Sequence, residues 1–179
     1  MQRSLLAIYL RDHHAAGVAG TRLARRIARA PTATSDLRQV PSEIEQDLLE
    51  LEAIMRRLGV QPDPAKDALA RIGERLGRLK PNGRLRERSP LSDLLELETL
   101  LVGITGKRAL WLSLRAGSST PSDDLELLVE RAESQRTIVE DARLHAARRA
   151  FSSEREGKAE HEPRETKICA PRDNPRWLG

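Results

Sequence analysis

Apolar residues recur at alternating spacings of three and four along most of this chain, a pattern that fits one side of an α-helix. From Ser4 to Ala30 the series is Leu6, Leu10, His13, Gly17, Gly20, Ala24 and Ile27, widened by Leu5, Tyr9, Ala16 and Leu23. Pro31 ends this first helix, because proline disfavours helix for the residue before it. Sheets favour aromatic and β-branched residues. Here aromatics are only 2 % and β-branched residues never cluster, so the expected fold class is all-α.

Four further helices follow from the same spacing. The second carries Leu37, Val40, Ile44, Leu48, Leu51, Met55 and Leu58, with Gly59 as its C-terminal cap. Two starts are open for it: a capping box at Ser42 and Glu45, or a start near Ser35 with a bend at Pro41. Asp63-Pro64 opens a shorter third helix to about Leu79, with Leu69, Ile72 and Leu76 on one side, stopped at Asn82-Gly83. The fourth runs from Ser89-Pro90 to about Ala116 along Leu91, Leu94, Glu98, Leu101, Thr105, Ala109 and Leu112. Beside that seam lies a second stripe, Leu97, Leu100, Ile104 and Trp111, which a subunit interface or the third helix would cover. The fifth runs from Thr120-Pro121 to about Phe151 on Leu125, Leu128, Ala132, Gln135, Val139, Ala142 and Ala146. Residues 1–151 thus read as one helical domain, and the charged, unpatterned residues 152–179 as a disordered tail. Two helical hairpins joined by a helical segment that returns the chain along the bundle give a four-helix bundle with one long crossover.

The stretches SLLAIYLRDHHAAGVAG, EIEQDLLELEAIMRRLG, LGRLKPNGRLRERSPLSDLLELE and TGKRALW resemble a family of uncharacterised actinobacterial proteins regarded as ferritin-like helical bundles. The resemblance covers about residues 4 to 151. It implies the ferritin-like fold and no particular chemistry.

Polar residues interrupt the apolar seams. The spacing directs His13, Glu98, Thr105 and Gln135 inward, with Asp12, Asp47, Arg136 and Arg143 at the seam edges. Together these predict a buried polar layer at mid-bundle, in which Arg143 or Arg136 pairs with Glu98, and His13 bonds Asp47 or Thr105. The competing reading is a metal site on His13, Asp47 and Glu98 holding iron or manganese, as in an oxidoreductase that handles oxygen or peroxide. Di-metal bundles of this kind place Glu-x-x-His on two helices. The corresponding stretches here read Glu43-x-x-Gln46, Asp47-x-x-Glu50 and Glu133-x-x-Arg136. The network reading is therefore preferred and no cofactor is expected. Gly17 and Gly20 on the first seam read as a close helix–helix approach.

Arg3, Arg11, Arg22, Arg25 and Arg29 form a basic face on the first helix, in a chain of net charge +4. A weak, non-specific grip on nucleic acid is the consequence to weigh, yet neither a helix-turn-helix nor stacking aromatics accompany it. The single cysteine, Cys169, excludes an internal disulfide, and the apolar run Leu5–Leu10 is too short for a signal peptide or a membrane span. A cytoplasmic, non-catalytic bundle that acts by protein–protein association, including as a homodimer, is the function expected from these features.

Overall fold

The computed structural model describes residues 5–64, 90–117 and 122–159, and every regular element among them is a helix. They are α1 (Leu5–Ala28), α2 (Ser35–Arg57), α3 (Pro90–Ala116) and α4 (Ser122–Ala159). The expected third helix, the connector after it and residues 160–179 of the tail lie outside the described residues.

Of the two possible starts for α2, the earlier one forms. Thr34 is the N-cap in extended backbone, and its Oγ1 accepts from the Leu37 amide at 3.3 Å. Pro41 is then buried inside the helix, where it removes one backbone donor. Ser42 does not cap; its hydroxyl donates to the Gln39 carbonyl at 2.7 Å. At the other end Leu58 is the C-cap, and Gly59 after it takes φ +66°, the left-handed conformation that closes a helix. The Val60 amide donates to the Met55 carbonyl and the Gly59 amide to that of Arg56, a Schellman closure, with Val60 packed into the same core as Met55. The last helix runs on to Ala159 rather than ending near Phe151, so residues 152–159 of the expected tail are helical.

Two apolar clusters form the core. One joins Ala7 and Leu10 to Leu51 and Met55, Leu110 and Leu114, and Leu125 and Leu128. The other joins Leu23 and Ile27 to Leu37 and Val40, Leu94 and Leu97, and Val139 and Ala146. These memberships fix the directions. The start of α1, the end of α2, the end of α3 and the start of α4 share one end of the bundle. Hence α1 is antiparallel to α2 and to α3, while α2 and α3 run the same way. α1 packs on α2 and α3, and α4 packs on α3 and α2. Residue 64 therefore leaves from one end of the bundle and residue 90 enters at the other.

The stripe Leu97, Leu100, Ile104 and Trp111 is buried inside this chain's own bundle, between 1 % and 4 % exposed. It is core and not a subunit interface. Of the neighbouring seam, Leu94 is buried and Leu101 and Leu112 pack partly buried against the clusters, whereas Leu91, Thr105 and Ala109 are exposed. Both stripes are apolar, and the inner one carries the larger side chains, whose burial stabilises more, about 1.5–3 kcal/mol for each fully buried large residue.

Candidate functional site

Between the two apolar clusters the core turns polar. Asp47 of α2 is 1 % exposed and Gln135 of α4 is fully buried. A buried, unpaired carboxylate costs several kcal/mol, so Asp47 needs partners. Two cations supply them. Lys107 of α3 donates from Nζ to Asp47 Oδ2 and to Gln135 Oε1. Arg131 of α4 donates from Nε to Asp47 Oδ1 at 2.6 Å and from Nη1 to Gln46 Oε1 at 3.3 Å. The Gln135 amide donates to Glu43 Oε2 at 3.1 Å and to Asp47 Oδ2 at 3.2 Å. Two carboxylates, Asp47 and Glu43, thus face two cations, Lys107 and Arg131, and the group is neutral as a whole. Burial pushes the Lys107 ammonium below the ordinary lysine range, an effect opposed by the Asp47 charge and hydrogen bond and reinforced by Arg131.

α1 adds a second polar patch. His14 is 4 % exposed, and its Nε2 lies 3.1 Å from Glu52 Oε1 of α2. Thr21, also buried, donates to the Gly17 carbonyl. A Cβ on Gly17 would lie 3.0 Å from Leu48 Cδ1, so α1 and α2 approach closely there, whereas at Gly20 it would meet nothing.

Of the residues expected in a buried layer, Asp47 and Gln135 lie in it and the others do not. Asp12 is exposed. His13 is half-buried with its ring edge-on to Tyr9, centroids 4.5 Å apart; the buried histidine is its neighbour His14. Burial lowers the His13 pKa below the usual histidine value, opposed by Asp12. Glu98 is partly exposed and sits 3.9 Å from Arg143, at the surface and not in the core. Thr105 is exposed and donates to the Leu101 carbonyl of its own helix. Arg136 and Arg143 are held along α4 by Glu133 and Glu140: Arg143 donates to both oxygens of Glu140, and Arg136 directs two donors onto Oε1 of Glu133. His13, Asp47 and Glu98 therefore do not meet as a metal-ligand set. Among the described residues no three His, Cys, Asp or Glu side chains converge to hold a metal.

Lys107, Arg131 and Glu43 are the members of the layer that the spacing rule did not single out. A signal for Lys107 was present, since Leu97, Leu100, Ile104, Lys107, Trp111 and Leu114 alternate by three and four with the lysine in the middle.

The basic face of α1 is partly neutralised. Arg25 pairs with Glu45, Arg26 lies 3.2 Å from Glu96, and Arg11 donates to the Gln61 carbonyl at 2.9 Å. Arg22 and Arg29 are exposed. No described helix is long and apolar enough to cross a membrane. No known protein family, characterised protein or solved structure matches the chain.

Proposed function

We propose that this chain is a non-catalytic bundle of the ferritin-like arrangement, related to the actinobacterial proteins its segments resemble, and that it works in the cytoplasm by protein–protein association, including with itself. The helix directions support the arrangement, because parallel α2 and α3 call for a connection that returns along the bundle. The polar layer supports a structural role. Both Asp47 oxygens are engaged by cations of the chain itself, and the Lys107 ammonium is bound to oxygens from two other helices. Such a layer fixes helix register.

The outer face of α3 carries the association reading. Its exposed positions up to residue 113 are Leu91, Leu95, Thr99, Val102, Gly103, Thr105, Ala109 and Ser113, and none is charged in a chain with 32 % charged residues. The charges on α3 all turn to neighbouring helices: Asp93 to Arg149, Glu96 to Arg26, Glu98 to Arg143, Lys107 to Asp47, Arg108 to Glu133 and Arg115 to Glu126. Depletion of charge marks the centre of protein–protein interfaces. Sedimentation velocity over a wide concentration range tests the reading. The mass is expected to rise above that of one chain, and Val102→Glu, at a position 72 % exposed, is expected to return it to the monomer. A strict monomer at every concentration removes the homodimer.

A further inference from the structure

The order of side chains along the outer face of α3 fixes how two copies would meet there. Leu91, Leu95, Val102, Ala109 and Ser113 are all exposed, and their spacings of four, seven, seven and four set them in one line along the helix. The line is symmetric about Val102, which is 72 % exposed. Its two arms differ in size, with two leucines on the N-terminal side and an alanine and a serine on the C-terminal side. A two-fold contact needs a surface that complements itself. An axis at Val102 that lays α3 antiparallel on α3 brings Leu95 to the partner's Ala109 and Leu91 to the partner's Ser113. Large then meets small along the whole line, which fills the contact without overlap. A parallel pair would set leucine on leucine at one end and leave a gap between alanines at the other. We infer that this face takes a second copy of the chain in antiparallel register, with Val102 on the two-fold axis; the inference rests on the association proposed for α3 and gives it a geometry.

Charge favours a second copy over the chain's own intervening segment. Two chains of net charge +4 meet with least repulsion where neither is charged, and this line carries no charge. Residues 65–89 hold eight Lys and Arg against three Asp and Glu, an excess that suits an acidic surface and gains nothing from an uncharged one. Area sets the strength. At 1.5 Å per residue the line is about 33 Å long, and a helix is roughly 10 Å wide. The contact therefore covers roughly 330 Å² a side, under half of the ~800 Å² that each partner gives to a standard interface, so the dimer is weak and reversible.

Exchanging sizes across the line tests the register, read as the dimerisation constant of the full chain in sedimentation. Ala109→Leu sets a leucine against the partner's Leu95 and is expected to weaken the dimer about tenfold, and adding Leu95→Ala is expected to restore it. In a parallel pair Ala109→Leu would fill the gap and tighten the dimer. A short bis-maleimide gives a second readout in a Cys169→Ser background. Val102→Cys is expected to link to its own copy. Leu95→Cys and Ala109→Cys are expected to link when mixed and neither alone, because each lies about 21 Å along the helix from its own copy. A dimer that Ala109→Leu tightens, or in which Leu95→Cys links to itself, overturns the antiparallel register and leaves the association standing. A chain that stays monomeric at every concentration overturns both. Maleimide labelling of Val102→Cys then identifies the occupant: slow labelling places residues 65–89 on the face, and fast labelling leaves it open to a different protein.

Discussion

At the scale of single residues, the chain's most exacting contact is Lys107 on Asp47. Removing one member of a buried ion pair leaves the other uncompensated, which costs about 3–5 kcal/mol. Lys107→Met keeps much of the volume and removes the charge; because Arg131 still holds Asp47, the free energy of unfolding in urea is expected to fall by at most that amount. Adding Asp47→Asn to Lys107→Met is expected to recover a large part of the loss; additive losses in the double variant would mean that the two side chains are not coupled. The pH dependence follows from the direction of the lysine shift. The unfolded chain holds this proton up to the ordinary lysine value of 10.5, and the folded chain releases it earlier because the site is buried. Between the lowered value and 10.5 the unfolded state therefore binds more protons, and stability from this group grows as pH rises. The groups facing it, Asp47, Gln135, Arg131 and Glu43, are the same in both proteins compared. The stability gap between the wild type and Lys107→Met is therefore expected to widen as pH climbs towards 10.5, and a narrowing gap would show that pairing with Asp47 outweighs burial.

At the scale of helices, the spacing rule read most of the architecture and misjudged which stripe faces inward. The seam of α4 was legible because it has one apolar stripe: Leu125, Leu128, Ala132, Gln135, Val139 and Ala146 are all buried. α1 was read one residue out of phase at its middle, so His13 stood in for His14; alanines and glycines from Ala15 to Gly20 give little contrast between adjacent faces. α3 carries two apolar stripes, and periodicity alone does not rank them. Once the heavier one turns inward, Glu98 moves to the rim beside Arg143 and Lys107 moves to the centre. Arg131 and Glu43 were illegible for a different reason, since long side chains reach a layer from outside the seam. Glycine placement gives a test at this scale. A Cβ on Gly103 would meet nothing within 4 Å, whereas one on Gly17 would press on Leu48 Cδ1 at 3.0 Å. Alanine is a better helix former than glycine by about 0.8–1 kcal/mol. Gly103→Ala is expected to raise the unfolding free energy by up to that amount, and Gly17→Ala by less or not at all. Equal gains at both positions would mean that α1 and α2 do not approach as closely as the Leu48 contact requires.

At the scale of the whole molecule, the distribution of charge separates the ways this bundle could meet a partner. The polar layer is neutral and internal, the α3 face is uncharged, and the arginines of α1 are partly taken up by Glu45 and Glu96. An association built on the α3 face owes little to Coulomb attraction, so screening by salt leaves it in place. Sulfate strengthens apolar burial through exclusion from protein surfaces. Contact with nucleic acid through the arginine face would behave in the opposite way, because every phosphate neutralised releases counterions and the affinity falls linearly in log–log form with salt. The self-association constant from sedimentation is therefore expected to hold or rise between low and moderate sodium chloride and to rise further in sulfate. Over the same range any retention on DNA is expected to be lost. A self-association constant that drops steeply with sodium chloride would move the contact from α3 to the charged faces of α1, α2 and α4, and Val102→Glu would then leave the assembly unchanged.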